Sequence, residues 1–337
     1  MRIIAEAPCR VDLAGSTLDI WPLYLFHPGA VTVNFAINRF TRCAIESLDS
    51  LEIRMGSTDL KASESYRSLA DLDRAARPRL PLAAYLLRFF RPSGGLKIQT
   101  DSESPAGAGI AGSSALMIAT ASALNGFTGA GHGREKIREI AQNVEAQIIR
   151  VPTGVQDYYP ALYGGISAVE LGAGGVRRVA IPVDLDDFNH RIVLCYTGAP
   201  RNSGINNWEV TKAYINGDRK VQRNFAHIAS VATGMRAAVE KAHWSEAGRL
   251  LREEWSHRRG NVPGISTPLI DRLIGVARRA GSLGAKVCGA GGGGCVFFLV
   301  ERGAQERVAG AIADAGARVL PVQAVSRGVT IRKGPKV

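Results

Sequence analysis

The sequence predicts an α+β protein built from two domains. Three observations carry that prediction. Period-two strands cluster near the N-terminus, runs at helical spacing arrive in groups, and 337 residues are about twice an ordinary domain. Strands mixed with grouped helices point to mixed or antiparallel sheets rather than a strictly alternating parallel one.

Residues 3–13, 30–38 and 41–47 alternate apolar and polar side chains, with many β-branched residues, and read as three antiparallel strands. Residues 69–90 turn helical with breaks at Pro78 and Pro81, and residues 96–100 alternate again as a half-buried strand. A glycine-rich loop follows. After it come small, helix-permissive residues over 113–125 and a run at helical spacing over 134–149. Residues 166–171 and 176–183 read as a hairpin around Gly172-Ala-Gly-Gly175, and the acidic stretch Asp184-Leu-Asp-Asp187 reads as a junction. Domains of 1–187 and 188–337 are expected on that basis. The second opens with a strand at 191–196, a long helical region over 207–258 and a helix at 268–280. Strands at 286–288 and 295–300 flank a second glycine run, and a helix at 304–315 precedes a final strand pair.

Composition narrows the function classes. Hydrophobic content of 46% and charged content of 21% are those of an ordinary globular protein, and no apolar run approaches the roughly 20 residues that cross a bilayer. No membrane association is expected. The first ten residues start directly on an alternating strand without a signal-peptide pattern, so a cytoplasmic location is expected. Cys9, Cys43, Cys195, Cys288 and Cys295 are scattered and mostly embedded in apolar runs, which fits buried reduced thiols. The six histidines show no zinc-ligand spacing. A net charge of +12 would suit nucleic acid, but the arginines are spread over several predicted helices without a compact basic run interleaved with aromatics. A small anionic ligand explains the basic balance as well.

Pro105-Ala-Gly-Ala-Gly-Ile-Ala-Gly-Ser-Ser-Ala115 is the most informative segment. Gly107, Ala108, Gly109, Ile110, Ala111 and Gly112 formally match G-x-G-x-x-G, the dinucleotide fingerprint. The context opposes that assignment. Lys97 and Gln99 alternate on the preceding strand, where a dinucleotide-binding strand is buried on both faces, and no acidic residue ends a second strand about 20 residues later. A Walker loop is excluded because no Gly-Lys-Ser/Thr occurs. What remains suits a nucleotide: glycines admit phosphate oxygens close to backbone amides, and the following helix points its positive end at them. Ser113 and Ser114 add hydroxyls, one of which could reach a magnesium ion. The alternative is a tight turn with a serine cap.

Three separated segments, in order, resemble the signature segments of the GHMP kinases, the superfamily of galactokinase, homoserine kinase and mevalonate kinase. Ala7-Pro-Cys-Arg-Val-Asp-Leu-Ala-Gly15 is similar to the first, Pro105 to Ala115 to the second, and Lys286-Val-Cys-Gly-Ala-Gly-Gly-Gly-Gly-Cys295 to the third. The family's loop usually reads Gly-Leu-Gly-Ser-Ser, whereas this one reads Ile110-Ala-Gly-Ser-Ser114. Residues 144–158 with Tyr163-Gly-Gly165, together with residues 195–203, 254–258 and 265–271, resemble heptose and fucose kinases, so the likeness spans nearly the whole chain.

The resemblance implies a two-domain fold with the active site in the cleft between domains, ATP and Mg2+ as cofactors, and a sugar or sugar phosphate as acceptor. In the nearest cases the anomeric hydroxyl is phosphorylated. It also assigns roles. Asp157 falls where the catalytic aspartate lies, although alone it reads as a helix cap. Arg10 falls at a cation that stabilises the transferring phosphoryl group. Pro105 through Ser114 form the ATP loop, and Ser113 with Glu145 would hold magnesium as hard oxygen donors. Asp19, Thr17 and Gly154 are assigned to the acceptor. Arg201, read by its own chemistry, could meet a substrate phosphate with its guanidinium fork or equally form a loop salt bridge. Gly291 and Gly292 are assigned to the acceptor too, within a run from Gly289 to Gly294 that lets backbone pack on the phosphate loop. The assembly is left open, with a homodimer allowed. Mevalonate or homoserine as acceptor, or a relative that binds without catalysis, are the alternatives.

Overall fold

A computed structural model of the chain describes residues 1–199 and 203–334. Arg201, read above as able to meet a substrate phosphate, lies outside them.

The first sheet is built on two long strands, β1 (Arg2–Ala14) and β2 (Val31–Ser47). β2 is one strand, not the two expected, because the break near residue 39 is a bulge rather than a turn. Pro8 pairs with Phe40 but Cys9 with Ile37, and the extra residues bond to the C-terminal segment, Asn38 N–H donating to the Gln323 carbonyl. A short hairpin, β3 (Ile53–Ser57) and β4 (Ala62–Tyr66), escaped the sequence reading because its outward face is polar. After it come α1 (Leu69–Arg74), capped by Ser68, and α2 (Pro81–Phe90), which starts on its proline as a missing N–H permits.

Next come β5 (Leu96–Ser102), α3 (Gly112–Thr128), α4 (Arg134–Ile149) and α5 (Tyr158–Tyr163). The predicted hairpin is β6 (Ile166–Gly172) and β7 (Gly175–Ile181). The acidic junction forms α6 (Leu185–Asn189), with the Asp184 carboxylate accepting from the Asp186 and Asp187 amides. Then follow β8 (Ile192–Tyr196), α7 (Ser203–Ile215), α8 (Arg219–Glu240), α9 (Trp244–Arg258) and α10 (Pro268–Arg279). The chain ends through β9 (Ser282–Val287), β10 (Cys295–Val300), α11 (Gln305–Asp314), β11 (Arg318–Leu320) and β12 (Thr330–Gly334).

Among the described residues, eight strands share the first sheet, in the order β12-β1-β2-β5-β3-β4 with the β6–β7 hairpin on the other half of β2. Only the β3–β5 pair is parallel. The second sheet, β11-β8-β10-β9, is antiparallel throughout. β11 and β12 are therefore not the pair expected at the C-terminus: one joins β8 and the other joins β1. The chain returns to the first sheet at β12, so residues on both sides of residue 187 contribute strands to that sheet. Among the described residues, no helix is long and apolar enough to cross a membrane.

One apolar core runs from the first sheet into the second, with Phe35 packed edge-on against Phe188 at 4.9 Å and Phe297 at 5.6 Å. Helices α3 and α5 contact β1, and so do α8 and α9. Alternation accordingly stops at Ala7, and residues 7–14 of β1 are buried on successive positions. That buried half carries Arg10 and Asp12. Lys286 of β9 donates to the Asp12 carboxylate, and both side chains are fully buried, so an ion pair fastens one sheet to the other. Removing one partner strands a charge in a dry interior. Lys286→Met is expected to cost about 3–5 kcal/mol, read as a lower urea midpoint, because Asp12 and Glu254 lose their shared cation. A shift below about 1 kcal/mol would show that the pair does not hold the sheets.

Candidate active site

A cavity of about 810 Å³ opens where the glycine loop, α3, α4 and the third glycine segment meet. Pro105, Gly107, Ala108, Gly109, Ala111, Gly112, Ser113 and Ser114 reach its wall, while the Ile110 side chain is buried in the core. In this loop alanine stands at the family's second glycine and glycine at its first serine, and two backbone features bear on that exchange. Ala111 adopts the left-handed region at φ 56°, and Gly112 cannot carry a side chain, since a Cβ there would lie 2.6 Å from Ser104 Cβ. The glycine is needed one position later than usual. Ala111 gives α3 no side-chain cap, so the first amides of a 17-residue helix remain available at the cavity.

Arg10 holds the loop to the rest of the site. Its backbone N–H donates to the Ile110 carbonyl at 3.0 Å and its Nη1 to the Gly109 carbonyl at 2.7 Å. Nε and Nη2 both donate to Asp157 Oδ1, at 2.9 and 2.7 Å. Asp157 stands at the start of α5 but makes no capping bond, which removes the cap reading. Both Arg10 bonds fall on Oδ1. Burial alone would lower the Arg10 pKa, but the Asp157 and Asp12 carboxylates outweigh it and hold the guanidinium firmly charged.

Glu145 is buried on α4 and receives three hydroxyls. Ser113 Oγ donates to Oε1, while Ser114 Oγ at 2.9 Å and Tyr158 OH at 2.6 Å donate to Oε2. Burial pushes its carboxyl pKa up, and the hydroxyl bonds only partly offset this. Among the described residues no three His, Cys, Asp or Glu side chains cluster as a metal cage. One carboxylate beside serine hydroxyls nevertheless fits Mg2+, which keeps waters and takes most of its ligands from substrate phosphates. The uncapped α3 terminus and the side-chain-free Gly112 fit those phosphates in turn.

Asp19 and Thr17 also line the cavity. Asp19 is buried, and its carboxylate accepts the Gln156 amide at 2.9 Å. Burial first, and then the neighbouring Asp157 charge, push its pKa up to about 7. Gly154 belongs to this corner because a Cβ there would lie 2.2 Å from Asp19 Oδ2. Gly291 and Gly292 do not reach the cavity wall. A Cβ on Gly291 would meet Ile265 Cγ2 at 2.6 Å, and the Gly292 amide donates to the Ile265 carbonyl, so these glycines serve packing. The neighbouring Gly289 and Ala290 line the cavity instead. Contact with the glycine loop comes from Gly294, whose Cβ would lie 2.6 Å from the Ala108 carbonyl, and from Cys295, whose amide donates to it at 2.7 Å.

Sequence reasoning missed a buried charge network behind this wall. Lys286 bridges Asp12 and Glu254, Glu254 accepts from Arg258, and Arg258 reaches the Ser16 carbonyl at 2.6 Å and Thr17 Oγ1 at 3.2 Å. Asp12 Oδ1 also accepts the Gly289 amide at 3.2 Å. The one available signal was the occurrence of Asp12 and Lys286 inside otherwise apolar strands. Burial and mutual attraction compete at Asp12, and the Lys286, Arg10 and Arg258 charges win, holding its pKa well below the usual carboxylate range.

Residues 79–165 match the GHMP kinases N terminal domain and residues 235–318 the GHMP kinases C terminal domain. The chain is 24% identical over 307 residues to a D-glycero-alpha-D-manno-heptose 7-phosphate kinase from Campylobacter jejuni, covering 89% of each. It is 27% identical over 357 residues to a mevalonate kinase from Pyrococcus furiosus, covering 99% of each. Its fold superposes on a D-glycero-D-manno-heptose 1-phosphate kinase from Bacteroides thetaiotaomicron with a TM-score of 0.79, at 23% identity and covering 99% of each chain.

Two outcomes test the geometry. A folded Asp19 that titrates near 7, against an ordinary value of 3.8, keeps a proton the unfolded chain has lost, so its contribution to stability falls as pH rises between those values. Asp19→Asn is therefore expected to gain on the native protein by about 2–4 kcal/mol between pH 4 and pH 8, measured by urea unfolding. A gap that does not widen with pH would contradict the raised value. Ala111→Gly relieves the left-handed residue and is expected to stabilise by about 1 kcal/mol, whereas Gly112→Ala weakens MgAMP-PNP binding about tenfold by calorimetry.

Proposed function

Since the chain belongs to the GHMP kinases, phosphotransferases that act on hydroxyl groups with ATP as donor, we propose that it is a sugar kinase. Its acceptor in this reading is a sugar or sugar phosphate, phosphorylated at the anomeric hydroxyl of a heptose-type substrate. The observation that carries the chemistry is the Arg10–Asp157 pair, a fixed cation and carboxylate at the mouth of the phosphate loop. With Oδ1 occupied by Arg10, Asp157 Oδ2 is the oxygen that receives the acceptor hydroxyl, orients it and takes its proton. Arg10 meets the negative charge that spreads as the phosphoryl group moves, without reorganising, since its own bonds already fix it. Glu145 and Ser113 are the residues that would hold Mg2+, and the α3 amides those that would hold phosphates. Bound ATP supplies the phosphoryl group and Mg2+ neutralises charge on the phosphates.

Likeness to relatives does not separate a sugar from mevalonate, but the wall favours a sugar. Among the described lining residues the only cation is Arg10, already paired, against the carboxylates of Asp19, Asp59, Glu145 and Asp157. A carboxylate-bearing acceptor would meet Asp157 with like charge, whereas hydroxyls can bond to both Asp157 and Asp19.

The test is an ADP-release assay with Mg2+ and ATP over L-fucose, D-mannose, D-glycero-D-manno-heptose, its 7-phosphate, mevalonate and homoserine, followed by phosphorus NMR of the product. Turnover is expected with a heptose-type sugar. Turnover with mevalonate alone would sink the sugar reading. Asp157→Asn is expected to lower kcat by about 10²–10⁴-fold while MgAMP-PNP still binds. An unimpaired Asp157→Asn enzyme would remove Asp157 from the chemistry.

A further inference from the structure

Thr17 occupies a backbone region that a β-branched residue rarely tolerates, φ 75°, at the turn that aims Asp19 into the cavity. Local bonds close the turn, Leu18 N–H donating to the Gly15 carbonyl and Ile20 N–H to the Thr17 carbonyl, both at 3.2 Å. Of these only the second engages Thr17, through its carbonyl, and neither engages its side chain. Asp19 is held by the Val155 amide on its carbonyl at 3.3 Å and the Gln156 amide on its carboxylate, and the Ser16–Thr17 part of the turn by the last residue of α9. Arg258 is buried there and spreads its guanidinium over three partners: Nε and Nη2 to Glu254, Nη2 to the Ser16 carbonyl, and Nη1 to Thr17 Oγ1. Glu254 in turn takes Lys286, which holds Asp12, which accepts the amide of Gly289, another residue lining the cavity.

We infer that Arg258 is a positioning residue for the acceptor, holding the Ser16–Thr17 turn and through it Asp19. A planar fork with fixed donors can grip a carbonyl and a hydroxyl on adjacent residues while staying paired to Glu254, which a lysine ammonium on a flexible stem cannot do. Arg258 bonds the Ser16–Thr17 turn directly, whereas it reaches Arg10, the anchor of the glycine loop, only through Glu254, Lys286 and a 3.9 Å contact of Asp12. Arg258 therefore acts on the acceptor side and leaves the nucleotide side alone.

This rests on the kinase reading for its kinetic arm only. Arg258→Lys keeps the positive charge beside Glu254 and is the variant that retains the fold, while Arg258→Gln removes the charge as well. In Arg258→Lys, with the acceptor identified by the panel above, KM for the acceptor is expected to rise at least about tenfold while KM for ATP and the Kd for MgAMP-PNP stay within about twofold. Hydrogen exchange without any acceptor provides the second arm. Amides of residues 16–20 are expected to exchange faster in both variants, with residues 109–115 unchanged. A native acceptor KM in Arg258→Lys, equal losses in ATP and acceptor KM, or unaltered exchange at 16–20 would each overturn the assignment. If no acceptor is phosphorylated by the native protein the sugar kinase reading fails, and the exchange arm alone then decides the role of Arg258.

Discussion

The Lys286–Asp12 ion pair is the constraint from which the site's geometry follows. An ammonium and a carboxylate taken wholly out of water must satisfy one another or cost several kcal/mol each, so the strands that carry them cannot drift apart. Because Asp12 sits two residues beyond Arg10 on β1, the same pair fixes where the Arg10 guanidinium emerges and hence where Asp157 and the phosphate loop can stand. The second oxygen of Asp12 collects the Gly289 amide, which places the third glycine segment against the cavity. A charge pair thus stands where sheet packing alone would leave the strand offset free.

Charge balance explains why Asp19 behaves differently from its neighbours. Arg10, Lys286 and Arg258 are matched by Asp157, Asp12 and Glu254, three cations against three carboxylates in one connected network. Asp19 is the carboxylate left over. It is buried, it faces Asp157, and it has a backbone amide for a partner rather than a cation, so it holds its proton to about pH 7. A carboxyl in that state is suited to exchanging hydrogen bonds with hydroxyls, since it can donate as well as accept.

The glycine loop at residues 105–114 illustrates how a backbone requirement can move along a sequence. Close approach of Ser104 demands a missing side chain at residue 112, and the left-handed turn falls on residue 111, where alanine bears a strain that glycine would not. The strain is held by neighbours that cannot yield: Arg10 grips the Ile110 and Gly109 carbonyls from below, and Cys295 grips that of Ala108. The result is an uncapped helix start presented to a cavity, a geometry suited to an anion.

The sequence by itself determined the α+β class, the long helices, the β6–β7 hairpin and the three glycine-bearing segments, because periodicity and glycine content are local signals that survive without knowledge of neighbours. It also placed Arg10, Asp157, Ser113 and Glu145 in motifs, though not in contact. Tertiary structure decided everything that depends on which strand lies beside which: the single β2 with its bulge, the return of β12 to β1, and the packing role of Gly291 and Gly292 against Ile265. Above all it decided the network of Asp12, Lys286, Glu254 and Arg258, whose members are up to 274 residues apart in the chain. Pairing energies between buried charges depend on distance in space and on the exclusion of water, and neither is written in the order of the residues.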